Sequence, residues 1–147
     1  YSRSTSARSI VDAFAPWALP LAAAVTTTCA LGSLYFSEIV NYKPCIMCWY
    51  QRTMMYPLAV ILIVAALTKD KKVWRYATPL AAIGIVFSTY HWFLERFPNL
   101  DAGVCDVEVP CEFVWFENFG FVTLPFMALT GFLAVLVFTT LPNTQKE

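Results

Sequence analysis

Four of the five cysteines in this chain of 147 residues form two closely spaced pairs. The first pair, Cys45 and Cys48, is a Cys-x-x-Cys motif that directly follows Pro44. In the second pair, Cys105 and Cys111, five residues separate the two thiols. Thiols this close in the chain can form disulfides and can exchange them with other thiols by thiolate attack. The cysteines therefore predict dithiol–disulfide chemistry.

The Cys-x-x-Cys motif is predicted to begin a helix. Pro44 suits the first helical position, because its missing N–H would have no intrahelical partner there. Cys45 and Cys48 would then lie in the first turns, and their spacing places both sulfur atoms on one face. The partial positive charge of a helix N-terminus favours thiolates, and Cys-x-x-Cys pairs at such positions are reactive. We therefore expect this pair to be catalytic.

The elements that position these cysteines are predicted from the apolar stretches. Hydrophobic residues make up 59% of the sequence and charged residues only 14%, whereas an ordinary soluble domain carries about 25% charged residues. Four stretches hold at most one charge each, and each is long enough for a membrane-spanning helix of roughly 20 residues. They also lack the polar stripe of a soluble helix. We predict a single domain, residues 1–147, whose fold class is an all-α membrane protein with a four-transmembrane-helix bundle.

The predicted spans alternate with short connections. The first apolar stretch is long enough to cross the membrane and no small-residue cleavage site follows it, so we expect it to be retained. Segment 112–121 combines aromatic residues with acids, which predicts a short interfacial helix in the outer membrane surface. The spans are expected at about 14–36, 45–67, 75–94 and 121–141, with outer loops at about 37–44 and 95–120.

The distribution of charge predicts the orientation. Four spans place both termini on one side, together with the connection between the second and third spans. That side would carry seven of the ten basic residues, and the positive-inside rule makes it the cytoplasmic side of a bacterial inner membrane. Both cysteine pairs would then lie on the outer face, where disulfides persist. The seven basic residues are Arg3, Arg8, Lys69, Lys71, Lys72, Arg75 and Lys146.

Arg52 is a candidate binding residue beside Cys45 and Cys48, which we call the inner pair. It follows Cys48 by four residues, on the same helix face and roughly 6 Å further along the axis. We interpret its guanidinium as serving a Cys48 thiolate and the oxygen of a bound electron acceptor, which within a membrane would be a quinone; the alternative is that Arg52 extends to the headgroups. His91 is a second candidate at the acceptor, because imidazole titrates near neutral pH. The alternative for His91 is a packing or hydrogen-bonding role.

The motifs resemble those of the DsbB family of disulfide bond formation proteins, in particular its short, BdbC-like branch. The resemblance extends over essentially the whole chain. One departure is the second pair, Cys105 and Cys111, which we call the outer pair. Its cysteines are much further apart in the sequences of DsbB proper. The matching segments are Pro-Cys-Ile-Met-Cys-Trp-Tyr-Gln-Arg at 44–52, Pro-Cys at 110–111 and Asn-Phe-Gly-Phe-Val-Thr-Leu-Pro-Phe at 118–126.

The resemblance implies a quinone-dependent thiol oxidase, a protein dithiol:quinone oxidoreductase. A reduced, DsbA-like thioredoxin-fold protein outside the cytoplasm would attack the outer disulfide at Cys105. The released Cys111 would attack Cys45, and Cys48 beside Arg52 would pass the electrons to ubiquinone or menaquinone. Membrane lipid is an expected partner and the chain is expected to be a monomer. The formal net charge of zero gives no reason to expect nucleic acid.

Three other interpretations stay open at this point. A vitamin K epoxide reductase-like protein also links two cysteine pairs to a quinone, but its loop pair precedes the Cys-x-x-Cys motif in sequence. A non-enzymatic zinc protein would use the four cysteines as ligands, and the five-residue gap in the second pair fits a zinc knuckle poorly. We therefore expect no metal. A structural membrane protein with two inert disulfides would leave Arg52 without a purpose.

Overall fold

The computed structural model describes residues 2–144, with side chains described from Thr5 to Thr140. Lys146, one of the basic residues that predict the orientation, lies outside the described residues. The helices are α1 (Ser2–Phe14), α2 (Ala18–Leu34), α3 (Ile46–Thr68), α4 (Trp74–Arg96) and α5 (Leu124–Thr144), and the strands are β1 (Glu117–Asn118) and β2 (Val122–Thr123).

Long apolar helices account for most of the described chain. A 3₁₀ turn, Ala15–Trp17, joins α1 to α2, and a π-helical turn, Tyr35–Ile39, extends α2. Three segments are long and apolar enough to cross a membrane, namely Thr5–Ile39, α3 and α4, and the described part of α5 is apolar but shorter. The predicted all-α bundle of four apolar helices is confirmed, while the single-domain organisation and the span limits stay predictions.

The four long helices enclose one core. α2 packs against α3, α3 against α4, α4 against α5, and α5 returns to α2. α4 and α5 approach closely at Gly84, where an added Cβ atom would lie 2.4 Å from the Phe132 ring. Glycine therefore permits this helix contact. The buried core includes Ala22, Leu58, Leu62, Ala77, Ala81, Phe132 and Val135.

The predicted interfacial helix over 112–121 is wrong, because a hairpin occupies this part of the outer loop. β1 pairs antiparallel with β2, with Asn118 opposite Val122. At the turn, Phe119 and Gly120 have φ angles of 54° and 80°. Two consecutive left-handed residues suit a tight hairpin turn and cannot continue a right-handed helix. The Asn-Phe-Gly sequence is therefore a turn signal that outweighs the aromatic pattern of the segment.

Side chains from α4 hold the hairpin against the bundle. The indole N–H of Trp92 donates to the carbonyl oxygen of Phe121 at 3.1 Å. The guanidinium of Arg96 donates to the carbonyl oxygen of Gly120. These bonds satisfy backbone carbonyls that the short ladder leaves unpaired. The hairpin consequently brings the start of α5 beside the outer end of α4.

Candidate active site

The inner cysteine pair, Cys45 and Cys48, lies at the N-terminal end of α3. The helix begins at Ile46, so Cys45 is the N-cap residue, with extended backbone (φ −74°, ψ 174°), and Pro44 precedes the helix. The prediction that Pro44 occupies the first helical position is therefore wrong by two residues; the chain is still extended at Cys45. The sulfur atoms of Cys45 and Cys48 are 3.3 Å apart and both thiols are free. The two sulfur atoms thus lie close together on one face at the helix start, as predicted.

His91 reaches the inner pair from α4. Its Nε2 atom is 3.5 Å from the sulfur of Cys45, and its Nδ1 atom is 3.1 Å from the Gln51 side-chain nitrogen. The roles of the two ring nitrogens depend on the tautomer: with the Gln51 amide donating to Nδ1, the ring proton lies on Nε2 and faces Cys45. Both His91 and Gln51 are buried. Gln51 was missed at the sequence level, where its only signal is a polar side chain near the start of an apolar helix.

These contacts favour a thiolate at Cys45, which lies just outside the membrane-spanning part of α3. A hydrogen bond from the Cys48 thiol lowers the pKa of Cys45 below its usual value, and burial acts in the opposite direction. The hydrogen bond with His91 lowers this pKa further. Hydrogen bonding to a charged form favours that form. These hydrogen bonds therefore stabilise the thiolate form of Cys45.

The outer pair forms a disulfide in the loop between α4 and the hairpin. Cys105 and Cys111 are bonded, with their Cα atoms 5.7 Å apart. Cys111 is 2% exposed, whereas Cys105 is only partly buried. The Asp101 carboxylate shapes the approach to the pair by accepting from the backbone N–H groups of Gly103 and Val104. A thiol arriving from outside therefore finds Cys105 more accessible than Cys111.

The two cysteine pairs meet in one packed cluster. Cys45 and Cys111 are both buried in it, together with Met47 and Leu94. Cys48 and Cys105 are partly buried at its edge. The sequence predicted that all four cysteines share one side of the bundle, and the structure brings them into a single apolar contact region. The arrangement brings the two pairs together in a way that suits disulfide exchange between them.

A cavity of about 640 Å³ opens on the other side of Cys48. Arg52 lines it, and its guanidinium donates to the side-chain oxygen of Ser33 at 2.9 Å and to the Ser33 carbonyl oxygen at 3.0 Å. The guanidinium also lies over the Trp49 ring, 5.1 Å from its centre. The Tyr56 hydroxyl donates to the side-chain oxygen of Ser33 at 3.3 Å. Ser33, on α2, was missed by the sequence analysis, because nothing local links it to Arg52.

The remaining lining of this large cavity is mostly apolar. It comes from α2, α3, α5 and the outer connections, and its outer end carries aromatic rings. Tyr42 and Trp115 stack there with ring centres 4.9 Å apart. Further lining residues are Val25, Cys29, Phe36, Met55, Met127 and Phe132.

Cys48 separates the large cavity from a second, much smaller one. The small cavity has a volume of about 10 Å³, close to the space that one water molecule needs. Cys45, Cys48, His91 and Glu95 line it, with Pro110 of the outer loop. His91 thus lines the small cavity beside Cys45 and the outer loop, whereas Arg52 lines the large one. The proposed contact of His91 with an electron acceptor stays a prediction.

Comparison with known proteins identifies the family. A model of the family described as disulfide bond formation protein DsbB matches residues 15–141. The chain belongs to the DsbB family. This membership confirms the resemblance seen in the motifs and accounts for the helical bundle as that of a multi-pass membrane protein with a role in disulfide bond formation.

Curated relatives place the DsbB match in its short branch. The chain is 40% identical to disulfide bond formation protein C of Bacillus subtilis over 140 residues, which cover 94% of this chain and 96% of the relative. It is 44% identical over 108 residues to probable disulfide formation protein C 1 of Bacillus cereus, covering 73% and 78% of the two chains. A protein of Halalkalibacterium halodurans, probable disulfide formation protein C, is 44% identical over 120 residues, covering 81% and 88%. No solved structure gives a significant match to this chain.

Proposed function

We propose that this DsbB-family protein is a quinone-dependent thiol oxidase of the bacterial cell membrane. It reoxidises a soluble, DsbA-like thioredoxin-fold protein on the outer face and passes the electrons to a membrane quinone. The position of Cys48 carries the proposal. This residue contacts the cluster that contains the outer disulfide, and it also lines the large cavity beside Arg52.

The first exchange takes place at the outer disulfide. A thiolate of the reduced partner attacks Cys105, the more accessible sulfur, and Cys111 leaves as a thiolate. Cys111 then attacks Cys45 in the oxidised inner pair, which releases Cys48. The packing of Cys111 and Cys45 in one buried cluster supports this step.

The second exchange restores the outer disulfide. The other thiolate of the partner displaces Cys105, and the oxidised partner leaves with its own disulfide. Cys105 then attacks Cys111 in the Cys45–Cys111 bond and releases Cys45. Two electrons and two protons have now moved to the inner pair. The structure has the same arrangement of thiols and disulfides: Cys105 is bonded to Cys111, and Cys45 and Cys48 are free thiols.

The large cavity suits a quinone in size and chemistry. Its volume of about 640 Å³ lies within the range of small-molecule sites, and such sites are mostly apolar with a few placed polar groups. The lining includes the Cys48 thiol and the cationic side chains of Arg52 and Lys43. A bound quinone would supply the capacity to accept two electrons and two protons. Arg52, fixed by Ser33, would offer its free N–H groups to a quinone oxygen and favour the Cys48 thiolate.

The orientation is part of the same proposal. With both termini in the cytoplasm, the turn between α3 and α4 also faces the cytoplasm, and it holds Lys69, Lys71 and Lys72. The positive-inside rule supports this arrangement. The outer disulfide then faces the compartment in which a DsbA-like protein works.

An anaerobic reaction of purified components tests the proposal. The protein in detergent is mixed with a reduced DsbA-like protein and either ubiquinone or menaquinone, and quinone absorbance and partner thiols are followed together. One quinone should be reduced for each partner disulfide formed. Cys48→Ser should abolish quinone reduction, whereas Thr68→Ser, at the opposite end of α3 and outside the cavity lining, should leave it unchanged. Partner oxidation without quinone reduction under strict anaerobiosis would refute the proposal.

A further inference from the structure

The inner thiols and one imidazole form a compact set of ligands on the outer side of the bundle. The sulfur atoms of Cys45 and Cys48 and the Nε2 atom of His91 form this set. Their ligand atoms all lie within 4.8 Å of one another. This grouping involves α3 and α4 and excludes the outer cysteines, which are joined in a disulfide. It therefore differs from a site built from all four cysteines.

We propose that Cys45, Cys48 and His91 bind a thiophilic divalent metal ion such as Zn²⁺ when the inner pair is reduced. The ion acts as a reversible inhibitor of electron delivery and is no resident cofactor. Metal binding itself goes beyond the proposed function, and only its inhibitory consequence rests on that function.

The observed distances are close to those that zinc requires. Zinc binds sulfur at about 2.3 Å and imidazole nitrogen at about 2.0–2.1 Å in tetrahedral geometry. These lengths put two sulfur ligands about 3.8 Å apart, and a sulfur and a nitrogen about 3.5 Å apart. The Cys45–Cys48 and Cys45–His91 distances are 3.3 and 3.5 Å. Binding thus needs the sulfurs to separate slightly and Cys48 to move towards His91.

The surroundings of the ligands suit a metal ion. A histidine that binds metal through one ring nitrogen commonly donates a hydrogen bond from the other, which orients the ring. Gln51 provides this partner, since its amide lies 3.1 Å from Nδ1 and can turn its oxygen towards it. The Glu95 carboxylate lines the same small cavity, and its Oε2 atom is buried without a hydrogen-bond partner among the described residues. Two thiolates balance the ion's charge, and two thiol protons are released on binding.

The redox state of the inner pair controls the site. A disulfide between Cys45 and Cys48 removes both thiolate ligands, so the oxidised protein loses the site. In the reduced protein, a metal-bound Cys48 sulfur has its electron pair in the metal bond and is held away from the large cavity that it also lines. Metal and electron acceptor therefore compete for one thiolate, and chelation of the metal should restore electron delivery.

Titration with Co²⁺ and Zn²⁺ tests the site without a partner or added quinone. The protein, reduced and freed of quinone in detergent, should bind one Co²⁺ with a thiolate-to-cobalt charge-transfer band, and Zn²⁺ should displace it. The same preparation with the inner disulfide formed should show no band. His91→Ala should weaken binding more than Gln51→Leu, for which we expect roughly a tenfold loss. The double variant Cys105→Ser/Cys111→Ser should bind as the wild type does.

Several results would overturn the proposal. These are a reduced wild type that binds no metal, equal binding by the oxidised and reduced proteins, and undiminished binding by His91→Ala. Comparison of oxidised and reduced wild type needs no variant, so misfolding of a variant cannot conceal a negative result. Because these measurements involve neither partner nor quinone, they can fail while the thiol oxidase activity stands. Zinc inhibition of that activity, reversed by chelation, is then measured separately.

Discussion

At the scale of single residues, the site depends on how the ends of two polar side chains are fixed inside an apolar bundle. Arg52 is held by two hydrogen bonds to Ser33 and by the Trp49 ring, which leaves it pointed into the large cavity. His91 is held by Gln51 and meets Cys45. Arg52 and His91 therefore have different hydrogen-bond partners, and each can act on a different thiol of the inner pair.

Replacing Arg52 should separate quinone binding from partner binding. Hydrogen bonds to charged groups contribute about 1.5–3 kcal/mol, so Arg52→Ala should raise the KM for quinone by about tenfold or more. The KM for the DsbA-like partner should change little. Arg75→Ala is a matched control, because Arg75 also lies over a neighbouring tryptophan but far along the chain from the cysteines. An unchanged quinone KM in Arg52→Ala would remove Arg52 from the site.

At the scale of helices and strands, close packing and turn geometry decide where the site elements lie. Gly84 on α4 lets α5 approach until the Phe132 ring occupies the space of a side chain. At the other end of the same interface, the hairpin is tied to α4 through Trp92 and Arg96. The α4–α5 contact thus supports both the outer loop and the helix that carries His91.

Gly84→Ala should therefore destabilise the bundle. The added methyl group would lie 2.4 Å from the fully buried ring of Phe132, so the ring or the helices would have to shift. Overpacking of this kind costs about 1–3 kcal/mol, and it should appear as a lower Tm in detergent. Gly32→Ala is the control, since a Cβ atom there meets nothing within 4 Å. Equal Tm values for the two variants would contradict this account of the α4–α5 contact.

At the scale of the whole molecule, the proposed activity requires that both cysteine pairs lie at the same end of the bundle and face the same side of the membrane. The two cysteine pairs meet at one end of the bundle, and the turn between α3 and α4, with its lysines, lies at the other end of α3. Only an orientation with the cysteine end outward exposes Cys105 to a secreted partner. The excess of basic residues at the opposite end favours this orientation.

Labelling with a membrane-impermeant maleimide checks the orientation. Single cysteines are placed in a cysteine-free background at two exposed positions, Val107→Cys in the outer loop and Lys72→Cys in the turn after α3. Intact cells should label only the Val107→Cys protein, and permeabilised cells should label both. Labelling of Lys72→Cys from outside would reverse the proposed topology and with it the electron route.

The sequence by itself determined the four apolar helices, the two cysteine pairs and the place of Arg52 after Cys48. These are local properties, because the length of an apolar stretch and a spacing of three or four residues on a helix need no tertiary contact. Turn chemistry at Phe119 and Gly120 was also local, but the aromatic pattern around it suggested a helix instead.

Only the tertiary structure decided which side chains surround each thiol. His91 lies 46 residues from Cys45, and Ser33 lies 19 residues from Arg52. The contacts of His91 with Cys45 and of Ser33 with Arg52 depend on how α2, α3 and α4 are rotated and packed. No single segment encodes this packing. The same packing places Cys48 between the outer disulfide cluster and the large cavity. That position is a property of the assembled bundle, because its two sides are built by different helices.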